Sequence, residues 1–439
     1  MTSIAAYGGV GEIGGNKILI EDKGTRIFLD FGMSFKSRDT YYSPPFLSPK
    51  SEQALVELGI LPRINGLYRF DKTRPAFDGV FISHAHIDHS GHVSMLKKEI
   101  PVYCGETART ILRAVSEIRP QTFESNLDGV QWETFRTGKK IKIDSIEVEP
   151  IHVDHSVPGA YGFLVHTSEG AIAYTGDFRM HGPRRDMSEE FVEKASKAEP
   201  LAILTEGTNM TGATISSEAE VHSKLQQLIK DTKGLVLGDF SRSDTDRLLS
   251  FFQAAKASLR SLAISMKQAH LLKALQKDAN LKLPKIADRN LMVFRRAKKK
   301  YYPWEEAIME EANIIDSLEL SRIQSEAVLV TSLADLEELI AIKPVAGSSY
   351  VLSASEPFNE EMEIDFDRLM SWLEHYGIVQ YHIHVSGHIT PLQLRSVLER
   401  ISAKRLFPIH TEHPELFAKF AAGMKSIVIV PERGRAYKL

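Results

Sequence analysis

The spacing of apolar positions changes character along the chain. Up to about residue 175 they come in short β-branched and aromatic runs bounded by Gly, Asp and Asn, which predicts strands. The runs are Ile4–Tyr7, Lys17–Ile20, Arg26–Phe31, Val80–Ser83, Ile141–Ile151, Gly162–His166 and Ala171–Thr175, with few helices between them. From about Ser216 the apolar residues recur at helical spacing between short strands, predicting amphipathic helices at Glu218–Ile229, Thr245–Ala257 and Glu361–Tyr376. The last stretch returns to strands at Gln380–His384, Arg405–Ile409 and Ile427–Val430, alternating with helices at Leu392–Ile401 and Pro414–Phe420. The change of texture predicts a second α/β domain. No internal repeat and no low-complexity linker marks its borders.

Composition narrows the setting. A chain of 439 residues, 43% of them hydrophobic, can bury two or three cores. The formal charge of -3 gives no global attraction for nucleic acid, so an anionic partner has to be held by a local patch drawn from the 54 Lys and Arg residues. The single cysteine, Cys104, follows an apolar stretch; it is expected to be buried, leaves no internal disulfide, and fits a reducing compartment. With no signal-peptide pattern and no apolar run long enough to span a bilayer, the expectation is a soluble, cytoplasmic protein without a membrane partner.

The chemistry begins at Ser83-His84-Ala85-His86-Ile87-Asp88-His89-Ser90-Gly91-His92, directly after a strand-like run. Imidazole and carboxylate are the donors that zinc takes in hydrolytic centres, and residues two apart in an extended segment point the same way. His84 and His86 can therefore grip one ion, while Asp88 and His89, beyond the turn, can face a second. The missing donors are sought at strand ends downstream: His155, with His152 as its rival, for the first ion; Asp177 as a bridge; His410 for the second. A further motif, Gly9-Val10-Gly11-Glu12-Ile13-Gly14, fits a dinucleotide-binding fingerprint, with Asp30 as the acid. That fingerprint requires a helix after the glycines, whereas strands follow here, so a glycine-rich hairpin region near the active site is expected instead.

Asp30, the His84–His89 cluster, His155 and Asp177, in that order, resemble the metallo-β-lactamase superfamily. Glu206 in Leu-Thr-Glu-Gly-Thr-Asn, His388 in His384-Val-Ser-Gly-His388, and His410 in Pro-Ile-His-Thr-Glu narrow the resemblance to its β-CASP nucleases. The segment Gly8–Asn16 and the His-Val-Ser-Gly-His stretch are similar to the ribonuclease J group; the matching motifs run from residue 8 to about 415.

This resemblance implies an α/β fold: an αββα sandwich formed by residues 1–205 and 379–439, with an inserted α/β β-CASP domain at 206–378 and substrate in the cleft between them. It implies two Zn²⁺ ions per chain, with Mn²⁺ as the alternative. His84, His86 and His155 would hold one, Asp88, His89 and His410 the other, and Asp177 would bridge. Asp30 would orient a ligand histidine. A cation pair lowers the pKa of a shared water from ~15.7 toward ~7 and aims it at a phosphodiester. His388, supported by Glu206, would then protonate the leaving oxygen, and His384, Ser386 and Gly387 would bind the neighbouring phosphate. Arg242 and Ser353, in the Asp239–Asp244 and Ser353–Glu356 turns, are further candidates to line the cleft, although both turns also read as helix caps.

The implied function is zinc-dependent hydrolysis of single-stranded RNA, favouring a 5′-monophosphate end, by 5′-3′ exonuclease or endonuclease action in RNA processing and decay. A DNA nuclease of the same family is the nearer alternative, and a glyoxalase II-like or lactamase-like hydrolase the more distant one. Ending at Leu439, the chain is expected to lack the carboxy-terminal domain common in bacterial ribonuclease J. Residues 33–76 are expected to cover the cleft mouth or to mediate self-association as a homodimer. The basic run Arg295–Lys300 beside Tyr301-Tyr302 reads either as a solvated face or as a track for a nucleic-acid backbone.

Overall fold

A computed structural model describes residues 1–44, 46–355 and 360–439. Chain contacts group into two compact units, one formed by Met1–Ile215 with Gly387–Leu439 and the other by Ser216–Ser386. The expected borders at 205/206 and 378/379 lie several residues earlier. The strand Val379–His382 pairs with Ser349–Leu352, so the chain leaves the inserted sheet only after residue 382.

The first unit holds two seven-stranded mixed sheets. In one, the strands Ala436–Lys438, Thr2–Gly8, Lys17–Asp22, Thr25–Leu29, Gly79–Ile82, Val102–Gly105 and Trp132–Phe135 follow in that order. The other runs Ile427–Val428, Arg405–Ile409, Ala202–Glu206, Ala171–Tyr174, Ala160–His166, Ile146–Val153, Ile141–Ile143. Alternation decides which side chains meet. Ile4, Ile18, Ile20, Ile27 and Phe81 of the first sheet bury against Phe163, Ile172, Tyr174 and Phe407 of the second, forming the core between them. On the outer face of the second sheet, Phe191, Val192 and Ala195 of the helix Arg185–Lys197 pack with Leu394, Val397 and Leu398 of Pro391–Ile401. This is the αββα sandwich.

Part of residues 33–76 packs within its own unit. Tyr42, Leu55, Ile60, Leu61, Leu67 and Tyr68 are buried with Phe28, Val80 and Val102 on the outer face of the first sheet. The segment therefore completes a core layer of its own unit. Cys104 is buried in the same layer, and burial pushes its thiol up to about 12.

The inserted unit has one sheet, in the order Ile314–Ile315, Leu291–Phe294, Ser261–Ser265, Ala327–Val330, Val236–Asp239, Ser349–Leu352, Val379–His382. Every pairing in it is parallel. Both faces are covered: Leu225, Phe251 and Leu272 from helices on one side, Leu320, Leu369 and Leu373 on the other. Parallel strands joined by crossover helices give this doubly wound arrangement, which leaves the carboxyl ends of the strands as the place for loops and ligands.

Candidate metal centre

Each donor sits just past a strand of the sandwich unit. After Gly79–Ile82 the chain stays extended through His84 to His86, whose φ is -65° and ψ 147°, and then turns into the short helix Ile87–Ser90 carrying Asp88 and His89. The turn lets one local sequence face two directions. His155 follows Ile146–Val153, Asp177 follows Ala171–Tyr174, and His410 follows Arg405–Ile409.

Two donor groups result: His84, His86, His155 and Asp177, and Asp88, His89, Asp177 and His410, with the donor atoms of each group within 4.8 Å of one another. In the first, His86 Nδ1 stands 3.0 Å from His84 Nε2 and 3.1 Å from His155 Nε2. In the second, His410 Nε2 lies 3.1 Å from Asp88 Oδ2, and His89 Nε2 lies 3.1 Å from Asp177 Oδ2. Donors that each lie ~2.0–2.2 Å from a shared ion stand about this far apart. Asp177 belongs to both groups, as a bridge requires. Among the described residues its Oδ1 and His89 Nε2 are buried without a hydrogen-bond partner, which a cation would satisfy. His152 takes no part: its Nδ1 meets Thr137 Oγ1 at 2.7 Å.

The electrostatics suit cations. Desolvation holds His84 and His155 well below the usual imidazole range and brings His86 down to about 4. Neutral imidazole is the ligating form. Burial pushes the carboxyls of Asp88 and Asp177 upward, but nearby histidines outweigh it and hold both below the carboxylate range: His89 and His410 at Asp88, and His410, His89 and His388 at Asp177. Desolvation likewise opposes a proton on His89, yet Asp177, Asp30 and Asp88 together raise its pKa well above the ordinary value. Buried carboxylates thus demand positive charge at this point.

Around the donors, other groups fix tautomers. Asp30 Oδ2 lies 2.6 Å from His89 Nδ1 and accepts from Ser83 Oγ at 2.8 Å and from the Tyr174 hydroxyl at 2.5 Å. His89 then offers Nε2 inward. His155 Nδ1 is 2.7 Å from the carbonyl of Gly387, with the same effect. Asp30 and His410 hold left-handed backbone at φ 58° and 49°, conformations that non-glycine residues adopt at a cost. The glycine-rich segment is a packing device: a Cβ on Gly14 would stand 2.5 Å from Asp88 Cβ, and the strand Lys17–Asp22 follows directly, with no intervening helix.

Glu206, His388 and His410 form a third group of close donor atoms. Glu206 Oε2 is 3.0 Å from His388 Nδ1, and Oε1 accepts from the Phe178 N–H at 2.9 Å. Desolvation opposes a proton on His388, but Glu206 and Asp177 outweigh it and raise its pKa to about 9. Sequence reasoning missed Thr208, whose Oγ1 donates to Glu206 Oε2 at 2.7 Å and lies 2.9 Å from His410 Nδ1. It also missed Tyr174 and Asn209, the latter donating to the His388 carbonyl at 3.0 Å. These residues carry no motif of their own; only the position of Thr208 two residues after Glu206 offered a signal.

Of the expected phosphate binders, Ser353 and His384 meet within the inserted unit. Ser353 is buried around Arg247, another residue that sequence reasoning missed: it accepts from the Arg247 guanidinium and donates to the Ile383 carbonyl at 2.5 Å. His384 Nδ1 is 3.2 Å from the Ser353 carbonyl, and burial lowers its pKa to about 4. Arg247 Nη2 completes the knot at 3.2 Å from Glu218 Oε1. Arg242 lines a different pocket, in which neither Ser353 nor His384 takes part. Ser386 ends the inserted unit and Gly387 begins the sandwich unit's last segment. Glu356 lies outside the described residues.

Residues 65–229 match the family model for the beta-lactamase superfamily domain. The chain is 26% identical over 427 residues to ribonuclease J of Mycoplasma genitalium, covering 94% of this chain and 68% of that protein. It is 24% identical over 434 residues to ribonuclease J 2 of Streptococcus pyogenes, covering 97% and 72%, and 25% identical over 446 residues to ribonuclease J2 of Bacillus subtilis, covering 98% and 74%. A crystal structure of a protein of unknown function from Enterococcus faecalis V583 matches with a TM-score of 0.79 and 22% identity over 100% of both chains, a likeness of fold. No helix among the described residues is long and apolar enough to cross a membrane. With the superfamily model matching part of the chain and relatives matching along most of it, the chain is similar to the metallo-β-lactamase superfamily and, within it, is ribonuclease J-like.

Proposed function

We propose that the protein is a metal-dependent ribonuclease that hydrolyses phosphodiesters of single-stranded RNA, taking 5′-monophosphorylated ends preferentially and using two Zn²⁺ ions, with Mn²⁺ as a substitute. His84, His86, His155 and Asp177 would hold one ion; Asp88, His89, His410 and Asp177 would hold the other. Bound there, the ions would supply Lewis acidity at the phosphoryl oxygens and an ionised water at neutral pH.

The observation that carries the reading is the His388–Glu206 pair beside the donor groups. An alkoxide leaving from phosphorus gains from a proton delivered in the transition state, and an imidazole paired with a carboxylate can deliver it. The Nδ1–H of His388 donates to Glu206 Oε2, so the Nε2–H is the proton to give. As the new P–O bond forms and the old one breaks, that proton would pass to the leaving oxygen and His388 would become neutral. Glu206, held by Thr208 and the Phe178 N–H, keeps the ring oriented and charged beforehand.

Incubating the zinc-loaded protein with 5′-labelled RNA, internally labelled RNA and matched DNA tests the reading. Release of 5′ mononucleotides from RNA indicates exonuclease action, and internal fragments indicate an endonuclease. Cleavage of DNA in preference to RNA favours the DNA-nuclease alternative. Hydrolysis of thioesters or lactams with both nucleic acids intact would overturn the proposal.

A further inference from the structure

Between the second donor group and the His388–Glu206 pair stands one hydroxyl. The strands Ala202–Glu206 and Arg405–Ile409 run parallel with Glu206 opposite Ile409, so the residues just past their ends, Gly207 to Asn209 and His410 to Thr411, lie side by side. Gly207 lets the two turns close. Its N–H donates to the Ile409 carbonyl at 3.1 Å, and a Cβ there would stand 2.7 Å from Phe417 Cδ2 and 3.2 Å from Thr411 Cβ. Thr208 is thereby brought against the buried His410, while Asn209 Nδ2 ties the same turn to the carbonyls of His388 and Ile389 at 3.0 and 3.2 Å.

The protons around this hydroxyl can be assigned. Thr208 Oγ1 lies 2.7 Å from Glu206 Oε2, 2.9 Å from His410 Nδ1, 3.2 Å from His388 Nδ1 and 3.4 Å from the His410 carbonyl. A hydroxyl has one proton and two lone pairs, and a carboxylate can only accept, so the proton goes to Glu206. The lone pairs are left for N–H donors. His410 turns Nε2 toward the donor group, 3.1 Å from Asp88 Oδ2, and a histidine that ligates through Nε2 keeps its proton on Nδ1. Among the described residues the Thr208 hydroxyl is the side-chain acceptor for that N–H. A ligand histidine ordinarily gives its second N–H to a carboxylate or a carbonyl, as His89 does to Asp30 and His155 to Gly387. At His410 the carboxylate is one hydroxyl further away.

We infer that Thr208 is a positioning residue whose hydroxyl carries the hold of the Glu206 carboxylate through to the Nδ1–H of His410, so that Glu206 supports the second cation as well as His388. The series Glu206, Thr208, His410 fixes the tautomer and the ring plane of the ligand. Because its far end is the carboxylate of the proton-donating pair, the cation and the proton donor share one support. This role for Thr208 rests on the two-cation reading of the donor groups.

Competition between a chelating dye and the full chain for Zn²⁺ tests it by reading the affinity of each ion. Thr208→Val keeps the shape of the side chain and removes the hydroxyl. One ion should then bind as in the parent chain and the other about 10–100-fold more weakly, the loss that follows when a ligand histidine is left without its support. Thr208→Ser should keep the parental affinities. Glu206→Ala should weaken the same ion, yet add little once Thr208 is valine, since both changes break one series of hydrogen bonds. Parental affinity for both ions in Thr208→Val, an equal loss in Thr208→Ser, or fully additive losses in the double variant would overturn the role of Thr208. A parent chain that binds no zinc would overturn the two-cation reading first, and this role with it.

Discussion

In the sandwich unit two buried carboxylates, Asp30 and Asp177, and the partly buried Asp88 face a ring of imidazoles, with Asp177 Oδ1 and His89 Nε2 left without hydrogen-bond partners among the described residues. In the inserted unit the central buried charge is a guanidinium, Arg247, tied to Glu218, Ser353 and the Ile383 carbonyl. One arrangement concentrates negative charge and imidazole donor atoms in a small volume, as cation sites do; the other sets one guanidinium against protein acceptors, although its Nε, too, has no partner among the described residues. What separates function from scaffold is therefore the chemistry of the cluster: several acids and imidazoles converging on one point ask for a cation, whereas a single cation paired with an acid holds a fold together.

The largest effect is expected at His388. His388→Ala should lower turnover of RNA by roughly 10²–10⁴-fold, the range for losing a general acid, with bound metal and thermal stability unchanged. A milder change sharpens the assignment. His388 can give a proton only while it holds one, so turnover should persist below its pKa and fall as pH rises past it. Glu206→Gln removes the largest charge favouring that proton, so in the metal-free chain the His388 resonance followed by NMR should titrate below about 9, toward the ordinary 6.5. A titration that does not move would detach Glu206 from the role.

Arg247→Ala should act on the opposite side of the comparison. It breaks the buried pair with Glu218, a loss of about 3–5 kcal/mol, read as a lower urea midpoint for the inserted unit. Metal content should not change. The smallest effect is expected from Asp30→Asn, which disturbs the orientation of His89 without removing a donor. Loss of such support lowers metal affinity by ~10–100-fold, measurable by competition with a chelating dye. If Arg247→Ala depleted metal while Asp30→Asn left it intact, the division of labour between the units would be wrong.

What could be read from sequence follows the same division. The His84–His89 cluster is local: one strand, one turn and one short helix present four donors, and spacing alone reveals them. The helix Thr245–Ala257 was legible for a similar reason, since its cap Asp244 and its buried face lie in one continuous stretch. Long-range features were less accessible. The run 141–151 breaks into two strands at Asp144, which takes φ 44°, because the strands pair back on each other as a hairpin. Residues 33–76 lack a clean period because only two short helices, Phe35–Asp39 and Glu52–Glu57, interrupt irregular chain that packs on a finished sheet. Thr208, Tyr174 and Arg247 become meaningful only once strands far apart in sequence are neighbours, and the pocket around Arg242 collects side chains from four separate strand ends. The distant donors His155, Asp177 and His410 were found by family resemblance and by their place at strand ends, not by spacing.

The most direct test strips the chain of metal and returns Zn²⁺ stepwise while following cleavage of 5′-monophosphorylated single-stranded RNA. If both donor groups serve one reaction, activity should rise with loading and level off at about two ions per chain. RNA cleavage by the stripped chain at full rate, or no cleavage at any zinc loading, would contradict the account.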